Sequence, residues 1–154
     1  LVEALYVASG FGMVIAARSS ISGAEGGCQA EVGSASAMAA AALVSLMGGA
    51  PEQMAHACAA ALQNLMGLVC DPVAGLVEVP CVKRNASSAA VAVVAAEMAL
   101  CDIKSIIPVD EVIDAMGKVG RMLPGCLRET SAGGLAATRT ARALEKEMAA
   151  RTDI

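Results

Sequence analysis

Uncharged runs of small apolar residues, punctuated by glycine, proline and serine, alternate along this chain with short polar stretches. Leu1 to about Ala17 reads as a helix weakened at Gly10 and Gly12, and Ser19–Gly27 as a flexible loop. Gln29 to Met47 predicts a helix closed by Gly48-Gly49 in the usual C-cap position. Pro51, pre-set in φ for a first helical turn, opens the next helix, which runs to Leu65 or Met66 and stops near Gly67. Pro72, Gly75 and Pro80 make Cys70–Cys81 a loop. Lys83–Leu100 is rich in Ala and predicts a helix despite the β-branched Val91, Val93 and Val94. Pro108-Val109-Asp110-Glu111 starts another, with acidic groups at its positive end, and Pro124-Gly125 ends it. After a turn at Glu129–Gly134, a polar helix runs from about Leu135 to Ala150. No fixed-period repeat and no dividing linker interrupts the series. Residues 1–154 therefore predict an all-α, single-domain bundle of about six helices, with cysteine-bearing loops at helix ends.

Composition sharpens this reading. The chain is 56% hydrophobic but holds one Phe, one Tyr and no Trp, and Ala, Val, Leu and Met suit closely packed helices better than strands. A net charge of −4 with eleven scattered Lys and Arg leaves no basic stripe, and no aromatic platform exists for stacking bases, so nucleic acid is not expected as a partner. Val32–Pro51 is uncharged over 20 residues, nominally long enough to span a bilayer. It is mostly Ala, Gly, Ser and Met, no aromatic belt flanks it, and a helix at the centre of a bundle looks the same, so no membrane is expected. Six cysteines and nine methionines without a secretory leader fit a reducing cytoplasm better than a disulfide scaffold. The abrupt start on an apolar helix at Leu1 suggests a piece of a longer chain.

Three cysteines stand in loops marked by glycine and proline. Cys28 follows Gly26-Gly27 and opens a helix, where free backbone N–H groups and the helix dipole favour a thiolate. Cys70 and Cys81 lie at the two ends of one loop; 41 residues separate Cys28 from Cys70 and ten separate Cys70 from Cys81. All three can meet where helix ends converge. Three thiolates without a fourth form an incomplete cage for an iron–sulfur cluster, leaving one iron open to a substrate, which points to catalysis rather than electron transfer. The close Cys-x-x-Cys pairs of ferredoxins and structural zinc sites are absent. On spacing alone, structural cysteines remain open as an alternative. His56, the only histidine, lies mid-helix and reads as a core or boundary residue.

The segment Gly-Cys-Gln-Ala-Glu-Val-Gly-Ser-Ala at 27–35, the segment Cys-Asp-Pro-Val-x-Gly-Leu-Val-Glu-Val-Pro-Cys at 70–81, Arg84-Asn85-Ala86 and the Glu129–Ala136 stretch together resemble the α domain of iron–sulfur-dependent L-serine dehydratases. The resemblance covers nearly the whole chain. It implies conversion of L-serine to pyruvate and ammonia, in amino-acid degradation and gluconeogenesis, without pyridoxal phosphate. It implies a [4Fe–4S] cluster held by Cys28, Cys70 and Cys81, whose fourth iron acts as a Lewis acid on the serine hydroxyl while an unassigned base takes the α-proton. It also implies a β chain or β domain with a Ser-Ser-Ser-His-Thr-like motif, absent here, and a homo- or hetero-oligomer. The chain has no cysteine at its end, as some single-chain members have, and is expected to be the C-terminal part of an α chain, inactive alone.

Other residues carry weaker expectations. Lys83 and Arg84 sit at a helix start, where cations are unwelcome, and hint at pairing with an anion such as a substrate carboxylate or the cluster. Ser131–Gly134 resembles an anion-cradling loop; Ser131, Gly133 and Gly134, with Lys83 and Asn85, are the candidate substrate contacts. Gln29, Glu31, Asn64 and Asp71 are candidates for supporting hydrogen bonds. Cys58 and Cys101 read as buried apolar cysteines, while Cys126 stands in a turn outside the resembling pattern. Two rival functions stay in view: a related cysteine desulfidase, and a non-enzymatic helical membrane or assembly module.

Overall fold

A computed structural model describes residues 1–152. Its helices are α1 (Val2–Arg18), the one-turn α2 (Gly23–Gly26), α3 (Ser34–Leu46), α4 (Pro51–Leu65), α5 (Cys81–Leu100), α6 (Val109–Met122) and α7 (Arg139–Thr152), and no strand occurs among the described residues. The all-α expectation holds. The count rises from six to seven because the glycine-rich segment before Cys28 winds one helical turn, tied by Ser20 Oγ donating to Glu25 Oε2 at 2.6 Å.

The helix ends form where local chemistry asks for them. Gly48, at φ +77°, takes the left-handed position that ends α3, and the Gly49 N–H returns to the Val44 carbonyl at 2.9 Å. Pro51 starts α4 and the Gln53 side chain accepts from the Ala50 N–H at 2.9 Å, filling half of a capping box. The last helix starts later than the pattern predicts. A 3₁₀ turn at Gly134–Ala137 comes first, and Thr138 Oγ1 then caps α7 by accepting from the Ala141 N–H.

α3 is the central element, packed by α1, α4 and α5. Its Ala37, Ala40, Ala41 and Val44 meet Ala57, Cys58, Ala61 and Leu62 of α4 and Ala92, Ala95, Ala96 and Ala99 of α5 in one buried core. Alanines let these backbones approach closely, which explains a core almost without aromatics. The uncharged Val32–Pro51 stretch is this buried helix, and no helix among the described residues is long and apolar enough to cross a membrane. Cys58 is fully buried in the core, where burial pushes its thiol up to about 12. Cys101, expected to be buried, is exposed: α5 ends at Leu100 and the chain reverses through Asp102 at φ +61°.

Gly120 of α6 lies so close to α2 that a Cβ there would sit 2.9 Å from the Gly26 Cα. Backbone cannot yield as a side-chain tip does. Gly120→Ala is expected to destabilise the protein by about 1–3 kcal/mol, read from the midpoint of urea unfolding.

Candidate metal centre

Cys28, Cys70 and Cys81 come together. Each is at most 5% exposed, none forms a disulfide, and all three line one small cavity with Glu31, Val32, Pro72, Val77, Asn85 and Glu129. Three different local structures bring them there. Cys28 stands at the entry to a π-helical turn, Gln29–Gly33, that runs on into α3. The sequence predicts an ordinary helix here, and the difference has an identifiable cause. The buried Gln29 amide donates to the Gly26 carbonyl at 2.9 Å and the Met116 carbonyl at 3.1 Å, and accepts from the Gly67 N–H at 2.8 Å. With every polar atom satisfied, that side chain fixes the wider turn; such single turns frequently occur at functional sites.

Cys70 is set by its backbone. Its N–H donates to the Leu127 carbonyl at 2.9 Å and its carbonyl accepts from the Glu129 N–H at 2.7 Å, a short parallel bridge across 58 residues of chain (128 − 70). Cys81 is the first residue of α5, so Cys28 and Cys81 both present sulfur at helix beginnings. Asn85, one turn on, donates to the Cys81 carbonyl at 2.9 Å.

Arg84 and Asp71 tie these segments. The Arg84 Nη1 donates to the Asp71 Oδ1 at 2.6 Å and to the Val69 carbonyl at 2.8 Å, and its positive charge pulls the Cys28 thiol down against burial. The other Asp71 oxygen accepts from the Leu135 N–H at 2.6 Å. Gly134 faces that carboxylate so closely, at φ +58°, that any Cβ would collide with it. The residue that follows the Ser131–Gly134 loop, Leu135, gives its N–H to Asp71 of the same chain, and no side-chain hydrogen bond joins Ser131 to that carboxylate. Ser131 spans the neighbouring loop, its hydroxyl donating to the Pro72 carbonyl and accepting from the Gly75 N–H at 3.1 Å. Gly133 packs on Cys126, which is exposed. Lys83 is exposed and is not among the residues lining the cavity. Asn64 bonds within its own helix, to the Ala60 carbonyl.

Burial raises all three thiols. Cys70 is pushed up to about 12, first by desolvation and then by the negative charges of Cys28 and Glu129. Cys28 and Cys81 are raised by desolvation against the lowering pull of Arg84. Three neutral thiols are stable here; three thiolates need a cation among them. The donor set suits a cluster. Among the described residues, no three His, Cys, Asp or Glu side chains converge on one point as a single ion requires, whereas cluster thiolates bind separate irons. The cavity itself is about 20 Å³. The loop between Cys70 and Cys81 forms one wall of it through Pro72 and the exposed Val77.

Sequence reasoning missed two features of this cavity. A Cβ on Gly23 would lie 2.8 Å from Glu31 Oε2 and 3.2 Å from the Cys70 sulfur, so the one-turn α2 closes one side. Glu129, read only as part of a motif, adopts φ +65° and brings its carboxylate to the same place. The glycine density of residues 23–27 was the available signal for the first; nothing local signals the second.

Comparison with known proteins agrees with this arrangement of motifs. The family described as "Serine dehydratase alpha chain" matches residues 1–136. A probable L-serine dehydratase alpha chain of Bacillus subtilis is 64% identical over 148 residues, covering 96% of this chain and 49% of that one. A second, from Latilactobacillus sakei, is 59% identical over 144 residues, 94% of this chain and 69% of that one. L-serine dehydratase 2 of Escherichia coli is 48% identical over 137 residues, 88% of this chain and 30% of that one. This chain thus spans about half of the Bacillus protein and less than a third of the Escherichia one. With its three cysteine segments inside the matched residues, the chain belongs to the serine dehydratase alpha chain family.

Proposed function

We propose that this chain is the cluster-binding part of an L-serine dehydratase, which removes water from L-serine to yield pyruvate and ammonia together with a β chain or β domain. The observation that carries the reading is the meeting of three buried, unpaired thiols from three separate segments on one cavity. Relatives named L-serine dehydratase support the substrate. Cys28, Cys70 and Cys81 would hold a [4Fe–4S] cluster, and such a cluster would supply Lewis acidity toward the substrate hydroxyl.

The chain's own residues do the rest of the work described here. Val32, Pro72 and Val77 keep water from the thiols. Arg84 directs positive charge at Cys28, and its ion pair with Asp71 fixes the spacing between α5 and the Cys70 segment. Glu31 and Glu129 are the carboxylates this chain brings to the cavity. Asn85 reaches both this cavity and the adjoining groove between α3 and α5, a placement suited to a substrate contact.

Anaerobic reconstitution of the full protein with iron and sulfide tests the reading, followed by a pyruvate assay with L-serine and with L-cysteine. About four irons and four sulfides per chain with serine turnover are expected. Preferential release of sulfide from cysteine would make the protein a desulfidase instead. A folded protein that takes up no iron would refute the cysteine assignment.

A further inference from the structure

Away from the thiols, a cavity of about 350 Å³ opens where α2 and the start of the loop after α1 face α6. Two guanidinium groups stand on its wall, Arg121 from the last turn of α6 and Arg128 from the segment bridged to Cys70. Ser19 and Ser20 add hydroxyls, and Ala24, Gly26, Ala30 and Gly117 leave the space between them.

The two arginines lack the partners that buried or clustered cations normally have. Among the described residues neither is in an ion pair. Arg128 Nε is buried without a hydrogen-bond partner, and its Nη1 makes only a long contact, 3.4 Å, with the Glu25 carbonyl. The one carboxylate on the wall, Glu25, already accepts from Ser20. The dipole of α6 favours a cation at Arg121 but gives no reason for a second one across the cavity at Arg128. In a chain of net charge −4, two cations without ion-pair partners on one cavity point to an outside anion.

We propose that this cavity binds a small oxyanion, a carboxylate or a phosphate, gripped by Arg121 and Arg128 and supplemented by the Ser19 hydroxyl. A guanidinium fork matches the paired oxygens of either group, and Arg128, whose Nη1 has only the long contact to the Glu25 carbonyl, gains an acceptor for that group. The Leu127 carbonyl and the Glu129 N–H, on either side of Arg128, hold the Cys70 backbone, so the bound anion braces the segment that positions Cys70. The site stands on its own arginines and does not depend on the proposed reaction.

Titration calorimetry of the full protein in low-chloride buffer, with inorganic phosphate and separately with malonate, tests this. Saturable binding of one of them at one site per chain is expected, and which one binds identifies the anion class. Arg121→Gln and Arg128→Gln are each expected to weaken that binding about tenfold or more, in line with loss of a charge-assisted pair. Arg121 is exposed, so its variant reports on binding even if Arg128→Gln disturbs folding. Absence of saturable binding of both anions, or unchanged affinity in Arg121→Gln, would overturn the proposal.

Discussion

Cys28→Ala, Cys70→Ala and Cys81→Ala, each introduced into the full protein and reconstituted anaerobically, are expected to leave the protein nearly free of iron, whereas Cys58→Ala retains the wild-type complement. The asymmetry follows from where each sulfur lies. The first three share one cavity, and a cluster anchored by three thiolates keeps only two after any one is removed. Cys58 is enclosed by alanines and leucine of the α3–α4–α5 core, where burial alone raises its thiol. Iron must displace protons from the site's thiols, which burial holds in the neutral form. Uptake by the wild type should therefore be stronger at higher pH and weaken as pH falls, because acid favours the bound proton over the metal. Iron and sulfide quantification with the absorption spectrum reads each variant. Full iron in all four variants would show that the ligands lie elsewhere.

The helical plan was legible because it rests on local rules: Gly48, Pro51 and Pro108 mark ends that any sequence reader can find, and the small apolar residues specify close packing. The triad of cysteines was legible for a related reason, since glycine and proline placed Cys28 and Cys81 at helix beginnings, while Cys70 lies beyond the end of α4 and is set by its bridge to Arg128. What escaped depends on partners distant in sequence. The π-helical turn after Cys28 exists because Gln29 meets the Met116 carbonyl, 87 positions away. The Ser131–Gly134 loop reads as an anion cradle in sequence, but only the fold shows that the Asp71 carboxylate lies against Gly134 and accepts from the Leu135 N–H just beyond it. Lys83 and Arg84 looked equivalent in sequence. Helical phase separates them, since Cys81, Arg84 and Asn85 share one face at spacings of three and four while Lys83 turns away to solvent.

Asp71→Ala is expected to lower the stability of the protein by about 3 kcal/mol, because it breaks a buried pair and strands its partner. Asp71 is 2% exposed and Arg84 keeps only 17% of its side chain in solvent. Without the carboxylate, the guanidinium retains the Val69 carbonyl but loses the counter-charge at Oδ1's former position. The Leu135 N–H loses its acceptor at the same time, and the 3₁₀ turn that leads into α7 loses its tie to the Cys70 loop. Asp71→Asn separates these effects, since its carbonyl oxygen can still accept from Leu135 while the charge is gone. Urea unfolding should therefore rank wild type above Asp71→Asn and Asp71→Asn above Asp71→Ala, with cleavage near Gly133-Gly134 by an added protease rising in the same order. If Asp71→Ala unfolds at the wild-type midpoint, water must be replacing the carboxylate around Arg84, and the pair would then orient the cysteine segments without stabilising them.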